Sequence, residues 1–293
     1  MGQGFLLVTT TNCRLLSGEM DLPLLTPTTT RQLLDEIGMR PRKSLGQNFL
    51  IEPNLVRKSI AMAEVADGER VVEIGPGLGT LTRGLLAAGT EVYAVEKDPA
   101  LLQHLRKNLL PHADNKLHLL EADALEHPRG NLCKGDSFKV VANLPYAITT
   151  PWLEKVLMDP VPDRMVLLMQ KEAAQRVLAG PGTKSFGPIS IFVQAAYSLA
   201  DQHKVSPSCF FPVPDVDSSF VRLDRKSEPF IFSQRQRKIV RQIFTQRRKQ
   251  LKSQCMALNL QGWMKMVITT GLPETVRPEQ VPVKLWMQLH ESS

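Results

Sequence analysis

The chain has 293 residues, 43% of them hydrophobic and 22% charged, which is ordinary globular composition and excludes a disordered, fibrous or collagen-like protein. Its formal charge of +7 points to an acidic partner. That charge is localised: residues 226–293 carry 12 Lys and Arg against 4 Glu, whereas residues 1–225 carry 24 against 25 acidic residues.

Residues 1–27 read as a poorly ordered leader. They have a short apolar run at Phe5–Val8, but no basic residue precedes it and no A-x-A site follows, so a signal peptide is not expected. Thr28, Thr29 and Thr30 are placed to cap a short helix over 31–37 that stops at Gly38. A basic extended link follows at 40–43, then Ser44-Leu-Gly-Gln-Asn-Phe-Leu50 and a helix over 55–63.

From residue 70 the pattern alternates. Strands are expected at 70–74, 91–95, 117–120, 138–142 and 164–169. Helices are expected at 78–88 and 99–109, and from about 150, 171 and 188. Strands alternating with helices imply a mostly parallel sheet covered on both faces. Apolar segments near 195–204 and 216–223 would complete it as an antiparallel edge. After Pro229, helices are expected over 231–258, 262–270 and 278–290. The expected organisation is a leader (1–27), an α/β domain (28–225) and a small, basic, all-helical domain (226–293).

The cysteines Cys13, Cys133, Cys209 and Cys255 form no C-x-x-C pair, and the six histidines form no ligand spacing. No disulfide framework and no metal are expected, and a reducing compartment fits. The longest uncharged apolar stretch, residues 186–200, is shorter than the about 20 residues that span a bilayer. A cytoplasmic protein with no membrane partner is therefore expected.

The first strand runs into Glu73-Ile-Gly75-Pro-Gly77-Leu-Gly79. Glycines permit a tight strand-to-helix turn and close approach of a ligand to the backbone. Here the third glycine follows the second by two residues, unlike G-x-G-x-x-G, and this shorter form is the one found after the first strand of S-adenosylmethionine methyltransferases. Glu96 ends the second strand, where an acid can accept both ribose hydroxyls of a nucleoside. Asp123, after the third strand, is placed to accept from an adenine amine. Singly, these residues read as a tight turn, an ion pair of Glu96 with Lys97, and a helix cap at Asp123. Three ligand-type residues at successive strand ends point instead to one site, because ligands bind at the carboxyl ends of parallel strands.

Asn143-Leu144-Pro145-Tyr146 follows the fourth strand and resembles the [D/N]-x-P-[Y/F] loop of enzymes that methylate exocyclic amines of nucleobases. The adenine N6 lone pair is delocalised into the ring and is a poor nucleophile. Acceptors on its two hydrogens, the Asn143 side-chain oxygen and the Leu144 carbonyl, would favour the pyramidal, attacking nitrogen. Pro145 stiffens the turn, and Tyr146 can stack on the base and face the positive charge that develops on nitrogen. Alignment and charge stabilisation suffice, with no strong general base.

With these motifs the chain resembles the small-subunit ribosomal RNA adenine dimethyltransferases (the KsgA/Dim family). The resemblance covers about residues 28–290 and includes Val95-Glu-Lys-Asp98, Gln170-Lys-Glu172, Phe210-Phe-Pro-Val-Pro214 with Val216-Asp-Ser218, and Phe244-x-x-Arg247-Arg-Lys-x-Leu251. It implies a class I S-adenosylmethionine-dependent methyltransferase fold, Rossmann-like, with a C-terminal helical domain. It implies S-adenosylmethionine as cofactor, bound by Asn48, Leu50, Gly75, Glu96, Asp123 and Asn143. It also implies that Phe210 sandwiches the flipped adenine with Tyr146, although without the resemblance Phe210 and Phe211 read as core. The implied reaction is dimethylation of N6 on two adjacent adenosines in the loop of the 3′-terminal helix of small-subunit rRNA, during ribosome biogenesis, by a monomer acting on rRNA or the pre-small subunit. Asp215 stands where the family often has Lys.

The tail contains Arg235, Arg237, Lys238, Arg241, Arg247, Arg248, Lys249 and Lys252 with no acid between them, beside an apolar stripe of Ile239, Ile243 and Leu251. Basic side chains outward would bind RNA phosphates through Arg247, Arg248 and Lys249, with Arg40, Arg42 and Lys43 extending the footprint. The alternatives are a resistance-type methyltransferase of large-subunit rRNA and a non-catalytic assembly or transcription factor on the same fold.

Overall fold

The computed structural model describes residues 23–41, 46–158 and 160–289. Residues 1–22 of the leader, with Cys13, lie outside the described residues, as do Arg42 and Lys43 of the basic link. Helix α1 (Pro27–Glu36) starts earlier than the sequence suggests. Thr26 caps it in a reciprocal pair with Thr29: the Thr26 hydroxyl accepts from the Thr29 amide at 3.3 Å, and the Thr29 hydroxyl accepts from the Thr26 amide at 2.8 Å. Leu25 and Leu34 pack with Phe49, Leu78 and Leu101, which fixes this segment to the body.

Strand β1 (Phe49–Leu50) and helix α2 (Pro53–Ala63) follow. Then come β2 (Arg70–Ile74), α3 (Thr80–Ala87), β3 (Glu91–Glu96), α4 (Pro99–Asn108), β4 (Leu117–Glu121) and β5 (Lys139–Asn143). Next are α5 (Thr149–Val156), β6 (Arg164–Gln170), α6 (Lys171–Leu178), α7 (Pro188–Ala196), β7 (Tyr197–Val205), β8 (Phe210–Phe211) and β9 (Ser218–Arg225). The main sheet has the order β4-β3-β2-β5-β6-β9-β7. The first five strands are parallel, and β9 runs antiparallel to both β6 and β7, as expected for the edge. The central strands are near-continuous apolar runs, such as Met165–Met169 of β6, because helices cover both faces.

Register decides where the site lies. Ile74 of β2 is level with Val95 of β3, Glu96 with Glu121 of β4, and Asn143 of β5 with Leu168 of β6. The residues after β2 to β5 therefore emerge along one edge. A second, two-stranded sheet pairs β1 with β8, setting Phe49 opposite Phe211 and Leu50 opposite Phe210.

The C-terminal region is helical: α8 (Gln234–Thr245), α9 (Leu251–Ala257), α10 (Gln261–Thr269) and α11 (Val283–Trp286). The single helix expected over 231–258 is two. The chain leaves helical geometry at Gln246 (φ −119°, ψ 37°), and the Leu251 amide is taken by the Val276 carbonyl at 2.8 Å. The helix expected over 278–290 is a 3-10 turn at Pro278–Gln280 and then the short α11, separated by Pro282. One buried apolar cluster includes Met165 and Leu167 of the sheet, Trp152 and Phe192 of the covering helices, and Val240, Ile243, Leu251, Trp263 and Trp286 of the C-terminal region. Among the described residues no helix is long and apolar enough to cross a membrane.

Candidate active site

A cavity of about 400 Å³ opens at the carboxyl edge of β2–β5, within the size range of small-molecule sites. Asn48, Leu50, Gly75, Glu96, Asp123 and Asn143 all line it, as do Leu144, Pro145 and Tyr146. Gly75 has φ +66° and Gly77 φ +59°, a left-handed conformation that other residues seldom adopt. A side chain at Gly77 would come within 3.0 Å of the Phe49 ring. Bare backbone is thus needed both for the turn and for the approach of the β1 segment.

Glu96 is buried and not ion-paired with Lys97. One carboxylate oxygen accepts from the Gly77 amide at 3.1 Å, and the other from the Lys97 and Asp98 amides at 2.9 Å each. Burial raises its pKa while these three donors oppose the shift. Lys97 instead reaches Asp123, with Nζ to Oδ2 at 2.7 Å, and holds that carboxyl below its usual range. Asp123 also accepts from the Leu125 amide at 2.8 Å, capping a turn rather than a helix.

Asn143 donates from its amide nitrogen to the Asn48 carbonyl at 3.0 Å. This bond ties the loop after β5 to the segment that closes the cavity. Within the described residues neither the Asn143 side-chain oxygen nor the Leu144 carbonyl accepts a hydrogen bond. Both remain as acceptors beside the cavity. The Pro145 carbonyl is used by the Ile148 amide (3.1 Å) and the Thr149 hydroxyl (3.2 Å), which fastens the loop to the start of α5.

The resemblance pairs Phe210 with Tyr146 around the target base. Phe210 is fully buried in the cluster holding Leu50, Val205 and Phe220, and it does not line the cavity. In the β1–β8 pair it stands opposite Leu50, one of the residues that line the cavity. The neighbouring Phe211 ring is half-buried with the Arg31 guanidinium 5.1 Å from its centre.

Glu73, which the sequence marks only as the start of the glycine motif, is a cavity-lining carboxyl with 1% exposure. Burial pushes its pKa up to about 8; the Thr82 hydroxyl, donating at 2.7 Å, opposes the shift, and the nearby Glu96 adds to it. Nothing in its spacing distinguishes it from a strand residue on the surface.

In the tail, Arg247 donates to the Lys184 carbonyl at 2.8 Å, whereas Arg248 and Lys249 line an open polar cleft with Gln250, Ser253, Thr275, Arg277 and Gln280. Arg277 was not singled out in the sequence, because it lies far along the chain from the basic run. Arg237 departs from the outward-facing expectation. It is 3% exposed and donates to the carbonyls of Phe232, Glu154 and Leu157 at 3.1, 2.8 and 2.8 Å.

The strand order, the glycine turn and the acids at successive strand ends define a class I S-adenosylmethionine-dependent methyltransferase. A profile described as "Ribosomal RNA adenine dimethylase" matches residues 38–293, so the chain belongs to the ribosomal RNA adenine dimethylase family. It is 52% identical over 275 residues to the ribosomal RNA small subunit methyltransferase A of Opitutus terrae, covering 92% of this chain and 99% of the relative. The protein of that name from Anoxybacillus flavithermus is 39% identical over 236 residues, covering 76% and 78%. Among solved structures, a dimethyladenosine transferase from Plasmodium falciparum matches with a TM-score of 0.67 at 26% identity, over 82% of this chain and 95% of that one. The 23S rRNA methyltransferase ErmE shares the fold, with a TM-score of 0.64 at 24% identity over 83% and 98%.

Proposed function

We propose that this enzyme dimethylates N6 of two adjacent adenosines in the loop of the 3′-terminal helix of small-subunit rRNA, as a monomer in the cytoplasm, during ribosome biogenesis. The observation that carries this reading is the Asn143–Tyr146 loop, with two uncommitted acceptors, at the rim of a nucleoside-sized cavity. The small-subunit target rests on the names of the relatives that match over most of the chain.

The residues present fit S-adenosylmethionine. Glu96, with both oxygens preset by backbone donors, would accept from the ribose hydroxyls. Asp123 would accept from the adenine amine while sharing its carboxylate with Lys97. Asn48 and Leu50 would cover the cofactor, and Gly75 would let its methionine end lie against the backbone. When bound, the cofactor supplies a methyl group already activated on a sulfonium. Asn143 and the Leu144 carbonyl then do the protein's part. They accept from the N6 hydrogens, draw the nitrogen lone pair out of the ring and align it. Tyr146 stacks on the base and faces the positive charge on nitrogen, and the proton leaves to water. A looped target spares the few kcal/mol of unpairing that a duplex base would cost.

The test is methyl transfer by the purified protein to separate small- and large-subunit rRNAs, followed by mass spectrometry. Dimethyladenosine at two neighbouring positions near the small-subunit 3′ end is expected. Label in large-subunit rRNA would favour the resistance-type alternative, and no label on any rRNA would overturn the proposal.

A further inference from the structure

Tyr146 lies in the loop beyond β5, outside any helix or strand, yet its ring has to be held in one place to stack on a planar base. The Tyr146 hydroxyl lies 3.0 Å from the Ser218 hydroxyl. Ser218 is 1% exposed and opens β9, where register places it opposite Gln170 of β6 and Val205 of β7. The residue before it is also fixed, because the Asp217 carbonyl accepts from the Lys171 amide at 2.9 Å. Ser218 is thus locked between two strands, while the Tyr146 backbone is backed by Gly46, where a Cβ would come within 3.2 Å of the Tyr146 nitrogen. The ring is held at both ends: by the loop backbone, and by a hydroxyl rooted in the sheet. Burial raises the Tyr146 pKa, with the Ser218 hydrogen bond opposing the shift, so the phenol stays neutral and either hydroxyl can donate to the other.

We propose that Ser218 is a positioning residue for methyl transfer, whose hydroxyl fixes where the Tyr146 ring points along its long axis, and that this tether is what tyrosine provides at position 146 and phenylalanine would not. The inference rests on the role given to Tyr146 above. The hydroxyl lies on the axis of the ring's second torsion, so a bond at that end sets the direction of the ring's long axis through the first torsion, and rotation about that axis is left to the packing around the ring. The bond is made before RNA arrives, so the direction of the ring is already set at the moment of reaction.

The test compares full-length wild type with Ser218→Ala, Tyr146→Phe and the double variant, measuring kcat on small-subunit rRNA, cofactor affinity by calorimetry, and Tm. Each single change is expected to lower kcat about 3- to 10-fold, the worth of one neutral hydrogen bond, with cofactor affinity changed by less than about twofold. The double variant should be no slower than the slower single variant, because both remove the same bond. Wild-type kcat in Ser218→Ala, or multiplying defects in the double variant, overturns the inference. A Ser218→Ala protein that loses Tm and cofactor affinity together with kcat, while Tyr146→Phe keeps them, assigns Ser218 to the fold alone and also overturns it. A wild-type enzyme that transfers no methyl to rRNA overturns the functional reading instead.

Discussion

Asn143 makes two claims on one side chain. Its nitrogen holds the Asn48 carbonyl and its oxygen is left for the target amine. Asn143→Ala should therefore lower methyl transfer at least about 100-fold, as loss of a preset polar contact to the reacting centre does. Cofactor affinity should fall less than about tenfold, since only one hydrogen bond to the closing segment is lost. Single-turnover transfer and calorimetry separate the two, and near-normal transfer would refute the role. Glu73 gives a second prediction at this scale. Its folded pKa, about 8, lies above the ordinary carboxyl value of 4.5, so the folded state holds the proton more tightly than the unfolded chain. Its contribution is therefore fully favourable below about pH 4.5 and is lost as pH rises towards 8. Cofactor-free Glu73→Gln should lose less Tm than wild type between pH 6 and 9; parallel curves would show that Glu73 is not buried as a neutral acid. Glu96, Asp123 and Asn143 were legible in the sequence because strand ends can be counted and parallel register brings them together. Ser218 was not, because which way it faces is set by pairings between segments far apart in the chain.

At the level of elements, alternation of apolar and turn residues was enough to place the seven strands of the main sheet, including its antiparallel edge, and most helices, but not the short β1–β8 pair. It failed where polar tertiary contacts end a helix. The break after α8 has no glycine or proline to mark it; it exists because the Val276 carbonyl takes the Leu251 amide and the Gln254 side chain donates to the Gln246 carbonyl. Likewise, a basic run does not reveal which member turns inward. Arg237 caps the C-terminal end of α5 through the Glu154 and Leu157 carbonyls, with its guanidinium 5.0 Å from the centre of the Phe192 ring. Since α5 begins at the loop carrying Tyr146, this contact joins the tail to the far end of the helix that follows the site. Arg237→Leu should cost about 2–4 kcal/mol in denaturant unfolding, because buried carbonyls lose their donor. Arg241, whose partner Glu154 it meets at 2.7 Å near the surface, should cost less than about 1 kcal/mol when changed to Gln. Equal losses would remove the distinction between the buried and the exposed arginine.

Across the whole molecule, the net charge divides into spent and available parts. Arg237 is buried, Arg241 pairs with Glu154 and Lys252 pairs with Glu274, whereas Arg247 donates to the Lys184 carbonyl, which orients its guanidinium without balancing the charge. Among the described residues no carboxylate pairs with Arg248, Lys249 or Arg277, and these three share one cleft. A phosphate backbone responds to cations that are free to displace its counterions, not to the charge count of a sequence. In the RNA-docking reading, Arg248→Ala and Lys249→Ala should each weaken rRNA binding and flatten the slope of log K against log salt by about one. Arg241→Gln should leave that slope unchanged, because the charge it removes is already balanced by Glu154. Binding isotherms at four or five salt concentrations decide the matter. If Arg248→Ala and Lys249→Ala keep the wild-type slope, the RNA does not dock at this cleft. If Arg241→Gln flattens the slope as much as they do, the footprint is diffuse, and the sorting of the tail by its ion pairs fails.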